Sequence, residues 1–142
     1  MNKAADWAIL ADLEKQLKFP THIAEDITKR PDIVLFSYSF KIVVLIELTS
    51  PCEERFEESH SIKFIRYGPG SEIFQACKNN GWEVLVFPVE VGARGYAAKS
   101  LQICLGRLGL KRKASNIIVK EAADAALRSS FWIWTQFLST SN

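Results

Sequence analysis

The sequence predicts an α/β domain, a small mixed sheet that contains an antiparallel hairpin and is flanked by helices on both faces. Three observations carry that expectation. Residues 33–37 ("IVLFS") and 42–49 ("IVVLIELT") are apolar runs rich in Ile, Val, Leu and Phe, bounded by polar or turn residues. Both faces of each run are apolar, the pattern of strands covered on two sides. Segments of helical periodicity lie before, between and after the strand signals.

Taken in order, residues 3–18 place Ala4, Trp7, Ala8, Leu10, Ala11, Leu13 and Leu17 close to helical spacing, which predicts an N-terminal helix. "KFP" at 18–20 ends it, because the residue before a proline avoids the α region. The two apolar runs follow, joined by a turn in "SYSFK". "EERFEESHSIKFIRY" reads as a helix with acids at its N-terminal end, where the macrodipole favours them. "GPG" at 68–70 breaks it, and a shorter helix is expected from Ser71 to Asn80. "NNGWEVLVFPVEVG" is a turn and a third strand, and helices are expected at about 95–107 and 114–137. With no repeat, low-complexity tract or linker, residues 1–142 read as one domain.

The 142 residues carry a net charge of only +2, so a nucleic-acid surface must come from a local patch. No apolar run approaches the roughly 20 residues of a membrane helix. Asp12 and Glu14 interrupt the N-terminal segment too early for a secretory h-region, so no signal peptide is expected. Cys52, Cys77 and Cys104 are odd in number and widely spaced, which argues against a zinc site or disulfide framework and for a reducing, intracellular compartment. Nothing points to a membrane partner or a small organic cofactor.

Two lone carboxylates lie at the ends of the apolar runs, Asp32 and Glu47. A hairpin symmetric about Ser39 and Phe40 sets them directly opposite, with Cβ atoms about 5 Å apart on one face. Thr49 shares that face. Two carboxylates so placed repel unless a cation lies between them, and oxygen ligands alone favour Mg²⁺ or Mn²⁺. Phe56, His60, Lys63 and Tyr67 fall on one stripe of the following helix, so Lys63 leans inward after Glu47. A metal, two acids and a lysine suit phosphodiester hydrolysis. Blander accounts exist: Asp32 as a strand-end cap, Lys63 as a snorkelling lysine, His60 as a partly exposed helix histidine, Glu90 as an edge or salt-bridge residue.

Arg94 and Lys99 flank glycines before a helix, and Lys111, Arg112 and Lys113 form the densest basic cluster. Both are candidates for salt-sensitive contacts to DNA phosphates. Gly92 and Gly95 read more simply as turn residues chosen for their dihedrals. "SSFWIWTQFL" is expected to seal the core, any exposed remainder forming an interface.

"RPDIVLFS", "VVLIELTSPCEERFEESHSIKFIRY", "GWEVLVFPVEVGARGYAAKSL" and "FWIW", in this order, resemble the PD-(D/E)XK nuclease superfamily. In particular they resemble the restriction-like endonuclease domains of non-LTR retrotransposon proteins, over residues 30–137. The resemblance implies a restriction-endonuclease-like core and a magnesium-dependent DNA endonuclease, a hydrolase nuclear in a eukaryote. It makes Asp32 and Glu47 metal ligands and Lys63 the catalytic lysine. Many such nucleases cut both strands only as homodimers. The superfamily's usual lysine lies two positions after the second acid, where this chain has Thr49; Lys63 resembles the lysine moved to the next helix in the retrotransposon-like branch, with Arg66 its next basic position. The departure at Thr49 leaves a second expectation open, a catalytically inactive nucleic-acid-binding or assembly module on the same fold. A protein-interaction domain using the C-terminal aromatics is a third.

Overall fold

The computed structural model describes residues 5–12 and 18–140. Among these, four strands and four helices occur in the order β1 (Trp7–Ala11), β2 (Ile33–Ser37), β3 (Ile42–Thr49), α1 (Phe56–Tyr67), α2 (Glu72–Asn79), β4 (Glu83–Glu90), α3 (Lys99–Arg107) and α4 (Arg112–Thr140), with a short 3₁₀ turn at Glu53–Arg55 before α1. The strands form one mixed sheet in the order β1-β2-β3-β4. β1 and β2 pair antiparallel, as do β2 and β3. Glu83 N–H bonds the Lys41 carbonyl and Val91 N–H that of Thr49, so β4 ascends parallel to β3. The mixed α/β class expected from the sequence is therefore the class observed.

Contacts divide the chain into two units, Asn2–Glu47 with Ser61–Pro88, and Leu48–His60 with Val89–Asn142. In the first, Val34, Phe36, Val43 and Leu45 of the hairpin pack with Tyr67, Ile73, Cys77 and Trp82. Ile73 and Cys77 lie four apart and present one face of α2, whose N-terminus is capped by Ser71 Oγ accepting from Phe74 N–H. In the second, Val89, Leu101, Cys104 and Leu105 are buried. All three cysteines are free thiols, and burial pushes Cys77 and Cys104 up to about 11.

β2 and β3 span the expected residues, but the expected N-terminal helix does not form where it is described. Trp7–Ala11 is instead an extended edge strand. The cause is tertiary. β2 is buried at Val34 and Phe36 and cannot leave its outer backbone groups unpaired, whereas an unbroken apolar run fits strand as well as helix. Ala4, Leu13 and Leu17 of that expectation lie outside the described residues. The helix expected from 95 begins at Lys99, because Gly95 sits at φ +86° in a turn. The aromatic stretch also departs from expectation: Phe131, Trp132, Trp134 and Phe137 are exposed and seal no core. At positions 131, 132, 134 and 137 they spread around more than half of α4, so one packed face cannot cover them all.

Candidate functional site

Every β2–β3 partner pair sums to 79, from Ser37 with Ile42 to Ile33 with Ile46. The next step of that register is Asp32 opposite Glu47. The turn that sets it runs from Tyr38 to Lys41, with Lys41 in the left-handed region at φ +50°. On the other edge of β2, Asp12 N–H donates to the Asp32 carbonyl at 2.8 Å, which brings Asp12 alongside Asp32. Sequence reasoning could not find Asp12, because it assigned that segment to a helix.

Glu47 is buried, 4 % exposed, and Asp32 is half-buried. Lys63 Nζ lies 3.4 Å from Glu47 Oε1, its side chain 24 % exposed, so the helical stripe does turn Lys63 toward the acid. Glu47 Oε2 is buried without a hydrogen-bond partner among the described residues. Burial first, then the adjacent Asp32, holds the Glu47 carboxyl above the ordinary carboxylate value; Tyr67 and Lys63 oppose this more weakly. Tyr67 is buried, its Oη donates to the Arg30 carbonyl at 3.2 Å, and burial beside Glu47 raises its phenol.

Two carboxylates, one with an unused buried oxygen, are hard donors that fit Mg²⁺ or Mn²⁺. Asp32 and Glu47 are the residues that would hold it. Among the described residues no group of three or more His, Cys, Asp or Glu is placed to hold a metal.

The other candidate residues lie in the second unit. Arg94 is engaged by two acids, Nε with Glu53 and Nη2 with Glu54, both at 2.6 Å. Arg94 in turn holds Glu53 below its usual range; Glu54 is lowered by its own backbone N–H and then by Arg94. Lys99, Lys111, Arg112 and Lys113 are exposed. Thr49 is half-buried at the end of β3.

That unit also contains a buried acid whose network the sequence did not disclose. Glu90, 2 % exposed, meets His60 Nδ1 at 3.1 Å and accepts from Ser100 Oγ at 2.7 Å. Ser100 Oγ also accepts from Glu90 N–H at 3.2 Å. The serine hydroxyl bonds the Glu90 carboxyl group and not the imidazole. The arrangement satisfies the polar atoms of a buried side chain.

Comparison of the chain with protein-family models and with curated proteins finds no match. Among the described residues no helix is long and apolar enough to cross a membrane.

Proposed function

We propose that the chain is a metal-dependent endonuclease domain that hydrolyses DNA phosphodiester bonds, of the PD-(D/E)XK kind its sequence resembles. One observation carries the reading. The hairpin register sets Asp32 beside Glu47, and Glu47 turns one oxygen to Lys63 while the other is buried with no hydrogen-bond partner among the described residues. Left so, the pair suffers both desolvation and like-charge repulsion, and a divalent cation held by it relieves both.

Bound Mg²⁺ or Mn²⁺ supplies Lewis acidity toward the phosphoryl group and lowers the pKa of water. The chain's own residues supply the placement. Asp32 and Glu47 are fixed by strand pairing, so their separation needs little reorganisation during the reaction. Lys63 approaches from α1, a different element, and its ammonium stabilises negative charge developing on the phosphoryl oxygens or orients the attacking water. Tyr67, bonded to the Arg30 carbonyl, ties α1 to the segment that carries Asp32. Lys99, Lys111, Arg112 and Lys113 are proposed to contact the DNA backbone; Arg94 would have to exchange its two carboxylate partners to do so. The reaction would take place inside the cell, in the nucleus of a eukaryote.

The test is nicking of supercoiled plasmid in Mg²⁺ or Mn²⁺, with Asp32→Ala inactive. Equal cleavage by wild type and Asp32→Ala sinks the reading. Thr49 favours a second reading, a nucleic-acid-binding or assembly module that has lost the chemistry. Titration calorimetry separates the two, since that module predicts salt-sensitive DNA binding and no Mn²⁺ binding.

A further inference from the structure

We infer that Lys29, Arg30 and Arg66 form a phosphate-binding rim for the Asp32–Glu47 site and grip the backbone of duplex DNA there. The inference deepens the endonuclease reading and rests on it for the identity of the polyanion. Two segments 37 residues apart in sequence bring the three residues to one junction. Lys29 Nζ donates to the Arg66 carbonyl at 3.0 Å, and Tyr67 Oη donates to the Arg30 carbonyl at 3.2 Å. The Arg66 guanidinium carbon lies 5.4 Å from the Tyr67 ring centroid, which keeps Arg66 beside that junction. Arg30 precedes Asp32 by two residues, and Lys63, one turn before Tyr67 on α1, meets Glu47 at 3.4 Å.

Arg55, Lys63, Arg94 and Lys120 each meet a carboxylate within salt-bridge distance. Among the described residues Lys29, Arg30 and Arg66 meet none. Lys29 has a structural task, since its ammonium satisfies a carbonyl at the C-terminal end of α1. That task uses one of its three N–H donors and leaves two. It accounts for neither Arg30 nor Arg66, both exposed, whose planar forks match phosphate oxygens.

Where the acid pair holds no cation it opposes a polyanion, and a basic rim offsets that opposition. Asp32 and Glu47, with Asp12 alongside, repel an approaching phosphodiester, and Lys63 alone offers one positive charge already shared with Glu47. Three further cations reverse the local balance at the place where a phosphate must approach.

The experiment measures binding apart from cleavage, by fluorescence anisotropy of a labelled DNA duplex without divalent metal. Arg30→Gln with Arg66→Gln leaves the Lys29 contact intact. It is expected to weaken binding by about tenfold or more near 0.1 M salt, and to lower the slope of log K against log salt by about 2. Arg30→Lys with Arg66→Lys keeps the charge and is expected to restore the slope, which a folding defect would not allow. Wild-type affinity and slope in the Gln pair overturn the rim, the more so if Lys111→Gln with Arg112→Gln and Lys113→Gln abolishes binding. Plasmid nicking reports on the other reading. Wild-type protein that binds through the rim but never nicks refutes the endonuclease, whereas a Gln pair that nicks normally with unaltered binding refutes the rim alone.

Discussion

Lys63 Nζ lies 3.4 Å from Glu47 Oε1, a lysine of α1 brought against a carboxylate buried in β3. If that ammonium serves the reaction, Lys63→Ala lowers plasmid nicking by about 10²–10³-fold, the usual loss on removing one charge-stabilising donor. Lys63→Arg retains the charge and recovers part of the rate. Initial rates of nicked-circle formation in Mn²⁺ check this, and an Ala variant as fast as wild type assigns Lys63 to packing alone.

Glu47 makes stability depend on pH in a direction that can be worked out. Its folded carboxyl lies above the ordinary 4.5, because burial and Asp32 disfavour the anion. The native state therefore holds its proton to higher pH than the unfolded chain does. Stability falls as pH rises from about 4.5 through the raised value, and the penalty is complete above it. Glu47→Gln removes the penalty. Its melting temperature should exceed the wild type's at neutral pH, and the gap should close below about pH 4.5. A Gln variant less stable than wild type at neutral pH would show that the Lys63 contact outweighs burial.

The acid pair was legible in the sequence because hairpin register is arithmetic. Apolar strand faces and a turn centred at Ser39 and Phe40 leave one pairing, and Asp32 opposite Glu47 follows from it. Lys63 was legible because helical periodicity links it to buried Tyr67. β1 was not legible, since Trp7–Ala11 is extended only because β2 has an edge to pair, and Asp12 stayed hidden with it. Nor could spacing show that Lys29 caps α1, or that His60 and Ser100 meet Glu90, because those contacts depend on how distant segments pack.

A third prediction concerns the turn that sets the register. The Asp6 carboxylate accepts from Ser37 Oγ at 2.7 Å and from Ser39 N–H and Oγ at 2.8 Å. These donors, Ser37 first, hold Asp6 at about 2 against an ordinary 3.8. A lowered carboxyl stabilises the fold above its unfolded value, and that stability is lost as pH falls through the folded one. Asp6→Asn should thus melt below wild type at neutral pH, with the difference shrinking between about pH 4 and 2. A constant difference across that window would mean that the carboxylate charge is not what braces the turn.

Gly92 tests a close approach and not a dihedral. A Cβ there would overlap the side chain of Glu53, the acid that accepts from Arg94 N–H and Nε. Gly92→Ala must push the end of the Glu53 side chain aside and break its pairing with Arg94, at about 1 kcal/mol or less, because Arg94 is largely exposed. Denaturant unfolding measures the loss. The double variant Gly92→Ala with Glu53→Ala should recover much of it, since the obstructing side chain is gone.

Two tryptophans separate core from surface in one measurement. Trp82 is 2 % exposed and packs in the cluster with Cys77 and Val84, whereas Trp134 is 57 % exposed on α4. Trp82→Ala removes a large buried side chain and should lower unfolding free energy by about 3–5 kcal/mol. It also removes the ring that lies 4.8 Å from Lys41 Nζ at the hairpin turn. Trp134→Ala should change stability by no more than about 0.5 kcal/mol, since little packing is lost. Urea unfolding of both variants at low protein concentration checks the contrast. A large loss at Trp134 that grows with protein concentration would show that its exposed ring is buried against another molecule.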